Sequence, residues 1–161
     1  SDDPMTRAEI VDVDELVTRA SDEVRTLAVS REIELVRSDD ASVKIYGDRG
    51  QLLTAVRNLL SNAIHYSPLA TRVAVSVRAS EGIAEIVIKD QGIGIPGHDL
   101  DRIFERFYRV DKGRSRDAGG TGLGLAIVKH LVQAMAGDVG CDAAEPNGSI
   151  FWIEIPAHSE R

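Results

Sequence analysis

Cysteine is nearly absent from this chain. Cys141 stands alone, so no disulfide can close within it, and a reducing compartment is the easier setting. A buried or surface thiol fits it better than a reactive one. Long apolar runs are missing too: none approaches the roughly 18 residues that a bilayer-spanning helix needs, and no secretory signal is visible. Basic residues do not outnumber acidic ones, and a formal net charge of -7 argues against generic nucleic-acid binding. Internal repeats and low-complexity segments are also lacking. What remains is an ordinary soluble composition, 43% hydrophobic and 28% charged over 161 residues, enough for one domain with a sizeable core.

Residues 1–7, SDDPMTR, read as a linker or cut end, residues 8–157 as the domain, and residues 158–161 as a tail. Within the domain, AEIVDV alternates as a short strand, and Asp12 or Asp14 can cap a helix running to about Ser30. Short strands follow at Glu32 to Arg37 and Val43 to Tyr46, around a polar turn. A second helix starts at Gly47-Asp48, shows a wide apolar stripe from Leu52 to Ile64, and stops at Ser67-Pro68. Val73, Val75 and Val77 alternate with polar or small residues, and IAEIVIKD returns as the paired strand. A third helix spans about Leu123 to Met135, followed by closing strands at Asp138 to Cys141 and Ser149 to Ile155. The pattern predicts an α+β chain, a two-layer α/β sandwich with three helices on one face of a mixed sheet.

One stretch resists that description. Glycine occupies four of the six positions from Gly119 to Gly124, directly before a run of good helix formers. Glycine that dense is entropically costly unless bare backbone is needed, and amides at a helix start suit an anion. Two familiar phosphate loops fail on spacing. No Gly-Lys-Ser/Thr is present for a Walker A loop, and Gly120, Gly122 and Gly124 run G-x-G-x-G rather than G-x-G-x-x-G.

Three further clusters bear on the question. In NLLSNAIHYS, Asn58, Asn62 and Tyr66 recur at four-residue intervals on one helix face, although Asn is a poor interior helix former. In DQGIGIP, Asp90 ends an apolar strand and is followed by Gly92 and Gly94. In RIFERFYRVDKGRSR, six basic residues gather in an otherwise acidic chain, with Phe104 and Phe107 able to tether the segment. Taken singly, these read as solvated asparagines, a turn acid and a charged loop.

In order, the four clusters resemble the N, G1, F and G2 boxes of the catalytic domain of sensor histidine kinases, relatives of gyrase, Hsp90 and MutL. The resemblance covers about Asp48 to Pro156. It implies a Bergerat-type ATP-binding fold, with a mostly antiparallel sheet and a mobile ATP lid at about residues 95–120. By analogy Asp90 accepts a hydrogen bond from the adenine amino group and Tyr66 flanks the base, with Gly92 and Gly94 beside them. Asn62, assisted by Asn58, ligates Mg2+, which needs few protein ligands beside phosphate and water. Gly120, Thr121, Gly122, Leu123 and Gly124 wrap the phosphates, and Arg106, Arg109 and Lys112 reach the γ-phosphate from the lid. One departure stands out: many relatives carry Lys where this chain has His65, which donates to phosphate best when protonated.

The same resemblance separates two chemistries. ATP-hydrolysing relatives place a glutamate base four residues before the metal-binding asparagine; here that place is Asn58, which cannot take a proton. A histidine acceptor needs no such base, so phosphotransfer to histidine is the expected reaction. None of the four histidines is followed by the family's acceptor pattern, H-[DE]-x-R-T-P. The implied chain is therefore a catalytic fragment, monomeric by itself. Its expected partners are the dimerisation hairpin of a dimeric parent, which would precede Ser1, and a cognate response regulator. The implied location is the cytoplasmic side of a bacterial inner membrane that anchors the parent. Rapid hydrolysis would point instead to the ATPase branch, and absent nucleotide affinity to a degenerate binding module.

Overall fold

The computed structural model describes residues 7–92, 94–95, 97–100, 102–105, 124–144 and 146–159. Two short strands, 31 residues apart in sequence, pair with each other at its start. β1 (Ala8–Asp12) pairs antiparallel with β3 (Lys44–Asp48) in a two-stranded sheet of their own, rather than joining the main sheet. Each strand of this small sheet ends in an aspartate that caps the next helix. Asp12 accepts from the Glu15 amide to open α1 (Val13–Glu23), and Asp48 accepts from the Gln51 amide to open α3 (Arg49–Tyr66), both at 3.1 Å.

The first predicted helix is in fact two. Val24 leaves helical geometry at φ -102° and ψ 4°, and a short α2 (Arg25–Ser30) follows. The next strand starts later than its apolar pattern suggests, because Glu32 takes a left-handed φ of 56° before β2 (Glu34–Asp40) begins.

The main sheet has five strands in the order β2-β4-β5-β7-β6, with β4 (Arg72–Ser80), β5 (Ile83–Lys89), β6 (Asp138–Ala143) and β7 (Ser149–Pro156). Only β2 and β4 run parallel; the other pairs are antiparallel. Period-two alternation puts Val73, Val75 and Val77, then Ala84, Ile86 and Ile88, then Phe151, Ile153 and Ile155 on one buried face. Against that face lie the apolar stripe of α3 (Leu52, Ala55, Val56, Leu59, Leu60, Ala63, Ile64) and Val128, Leu131 and Val132 of α4 (Gly124–Ala134). On the opposite face the Trp152 ring lies over Gly140 so closely that no Cβ fits there, and its Nε1 donates to Asp142 at 3.2 Å.

Near the start of the expected lid, Ile103 and Phe104 are buried, and Phe104 meets Phe151 edge-on at 6.3 Å, as a tether would. At the other end His158 is not a loose tail residue, since its amide donates to the Lys44 carbonyl and its ring sits 6.4 Å from Tyr46.

Candidate nucleotide site

The site grows from the C-terminal ends of α3 and β5. On α3, Asn58, Asn62 and Tyr66 keep partial exposure on one face while their neighbours Leu59, Leu60, Ala63 and Ile64 are buried. Asn62 reaches the glycine-rich segment: its Nδ2 is 3.9 Å from where a Cβ on Gly124, the first residue of α4, would sit. The helix that carries the asparagines thus meets the start of the helix that follows the glycines.

Tyr66 ends α3, and its carbonyl is a packing surface. A Cβ on Gly92 would come within 2.7 Å of that oxygen, so the turn after β5 can lie on α3 only with glycine there. Asp90 leaves β5 just before this turn and is buried. Its Oδ1 accepts from the Gly92 amide at 2.9 Å and from the Ser149 amide at 3.1 Å, while its own amide donates to the Ser149 carbonyl at 2.9 Å. Oδ2 accepts no bond from a described residue. Burial raises the Asp90 pKa above the ordinary 3.8, and the two amide donors act against that rise.

Several contributors to this geometry escaped the sequence reading. Gly148, at φ +102°, faces the Asp90 main chain so closely that a Cβ would strike its carbonyl. It packs against Gly94, which the sequence had already singled out and which takes φ +81°. Asn147 donates through Nδ2 to the Gln91 and Gly92 carbonyls at 2.9 and 3.3 Å. The only local signal for these residues was the turn composition of PNGS, which does not say what the turn touches.

Arg31, between α2 and β2, was missed as well. Its guanidinium donates to the Ile64, His65 and Ser67 carbonyls at 3.1, 3.2 and 3.4 Å, closing the end of α3 from below. That arrangement changes the picture of His65. The imidazole is half-buried and donates to the Ser61 carbonyl one turn back, and its pKa is lowered first by burial and then by the Arg31 charge. Both causes favour the uncharged ring.

Cys141 lies close enough to feel the Asp90 charge. Burial, then Asp90 and Asp142, push its thiol up to about 12, so it stays protonated and unreactive. Among the described residues no group of three or more His, Cys, Asp or Glu gathers that could hold a metal ion. Arg106, Arg109, Lys112, Gly120, Thr121, Gly122 and Leu123 lie outside the described residues.

A buried carboxylate at a strand end thus lies beside the end of an asparagine-bearing helix, and that helix meets the first residue of α4. The chain belongs to the histidine kinase-, DNA gyrase B- and HSP90-like ATPase family, whose model matches residues 47–159. Within that family it is the catalytic ATP-binding domain of a sensor histidine kinase. It is 44% identical over 150 residues to the sensor-like histidine kinase SenX3 of Mycolicibacterium smegmatis, covering 93% of this chain and 39% of that protein. The sensor histidine kinase WalK of Bacillus subtilis is 40% identical over 132 residues, 80% of this chain and 22% of WalK. The chain thus spans about two fifths or less of these relatives. Among solved structures, the mycobacterial sensor histidine kinase MprB superposes with a TM-score of 0.82 at 36% identity, covering 94% of this chain and 99% of that one. Full-length ShkA in complex with AMPPNP also gives 0.82, at 29% identity, over 96% of this chain and 32% of that one.

Proposed function

We propose that this chain binds Mg-ATP between α3, the Asp90 turn and the start of α4. It then delivers the γ-phosphate to a histidine on the dimerisation hairpin of its parent protein, for relay to an aspartate of a cognate response regulator. The observation that carries the nucleotide reading is Asp90: a buried carboxylate with one oxygen held by two backbone amides and the other without a bond from a described residue. Such an acceptor favours a base that offers an amino group over one that offers an oxygen, hence adenine over guanine.

The remaining roles follow from chemistry and position. Tyr66 flanks the base beside Gly92. Asn58 and Asn62 supply neutral amide oxygens, hard donors of the kind magnesium accepts in ones and twos alongside phosphate oxygens. When bound, the cation offsets polyphosphate charge. Gly120 to Gly124 wrap the phosphates at the amide-rich end of α4, and Arg106, Arg109 and Lys112 complete the γ-phosphate contacts. Asn58 has no proton affinity to activate water, whereas an imidazole acceptor attacks phosphorus unaided. A dimeric parent anchored in a bacterial inner membrane, with this chain on its cytoplasmic side, completes the reading.

The experiment pairs titration with transfer. ATP should bind the chain in the presence of magnesium, and γ-labelled ATP should leave an acid-labile label on the parent's separately prepared hairpin. Fast steady-state hydrolysis with no labelled hairpin would overturn the transfer and assign the chain to the hydrolytic branch.

A further inference from the structure

We infer that Asn147 is a positioning residue for base selection, a latch that holds the Asp90 turn against the β6–β7 hairpin. The inference rests on the reading of Asp90 as the adenine acceptor. After Asp90 the chain leaves the β-ladder, and the turn is secured piece by piece. Gln91 Oε1 accepts from the Arg72 amide at 2.8 Å on the β4 side. The Tyr66 carbonyl lies directly under Gly92. On the hairpin side, Asn147 Nδ2 spans the Gln91 and Gly92 carbonyls.

The Gln91–Gly92 peptide is the point of leverage. Its N–H donates to Asp90 Oδ1, and its carbonyl, that of Gln91, accepts from Asn147, so both polar groups of one rigid peptide plane are fixed. Releasing the carbonyl lets the amide shift, and the carboxylate follows its donor. Gly148 and Ser149, next in the chain, touch Asp90 directly through backbone, so Asn147 ties together the two segments that define the carboxylate's direction. Which oxygen faces the base, and at what angle, decides between the adenine amino group and the guanine carbonyl. Asn147 is itself exposed and outside the core, so its replacement leaves the packing and the Asp90–Ser149 backbone bonds in place.

The test uses two variants of this chain with magnesium present. Asn147→Ala removes the latch, and Asn147→Asp sets a carboxylate against two carbonyl oxygens. Calorimetric titration with ATP and with GTP should show the ATP preference falling about five- to tenfold in the alanine variant and further in the aspartate variant. The unfolding midpoint should stay unchanged, and the Gly92 amide should exchange faster with solvent while β4 and β5 amides keep their protection. An unchanged preference in both variants overturns the role of Asn147. So does a parallel fall in both affinities that tracks a lower unfolding midpoint. Wild-type chain that binds neither nucleotide overturns the reading of Asp90 and the latch with it; wild-type preference for ATP that both variants retain overturns the latch alone.

Discussion

A carboxylate as buried as Asp90 weakens a fold unless a ligand or a dense set of donors repays it. Two amides offset part of the cost, and the pKa still rises. Folding therefore takes up a proton between the ordinary value of 3.8 and the raised folded value, and stability falls as pH climbs through that window. Asp90→Asn should flatten this part of the stability curve, measured by urea unfolding across the acid range. The same variant should lose ATP affinity by about 100-fold or more, because its amide can present a donor where the base also donates. In the wild-type chain ATP affinity should grow over the very window in which apo stability declines, since binding needs the ionised acceptor. Arg31 makes a second residue-scale case. Arg31→Met should free three carbonyls at the end of α3, cost about 1–2 kcal/mol in unfolding free energy, and move the His65 titration up toward its ordinary value in an NMR pH series.

At the scale of elements, the apolar periodicities of α3, β4, β5 and β7 were legible because each buries one face against the same core. Leu59→Ala and Leu60→Ala, at the centre of that stripe, should each cost about 2–5 kcal/mol by chemical denaturation. The small sheet was less legible. Its strands looked like any others locally, yet they stand apart from the main sheet and deliver the two capping aspartates. Removing Asp12 or Asp48 by alanine should lower stability by about 1 kcal/mol each, read as a shift in unfolding midpoint. The break at Val24 left no composition signal, since a valine with non-helical angles looks like a valine in a helix.

At the scale of the whole molecule, Asp90, Asn62 and the glycine segment could be picked out from sequence because each breaks a local rule: an acid after an apolar strand, polar residues on a helix, glycine before helix formers. Their supports could not. Ser149 is 59 residues from Asp90, and the contact exists because β7 lies beside β5, a pairing that no local pattern encodes. Arg31 and α3's end are likewise joined across 33 to 36 residues. The chemistry was written in the elements, and its alignment in the topology.

Trp152 is the single tryptophan of the chain, seated on Gly140 with its ring nitrogen on Asp142. Its strand is also the one whose first residue, Ser149, fixes Asp90. The indole is thus a built-in fluorophore on the strand that meets Asp90. Its emission on denaturation reports the opening of β5, β7 and β6 without a label, and can be followed separately from the helical signal in far-ultraviolet dichroism.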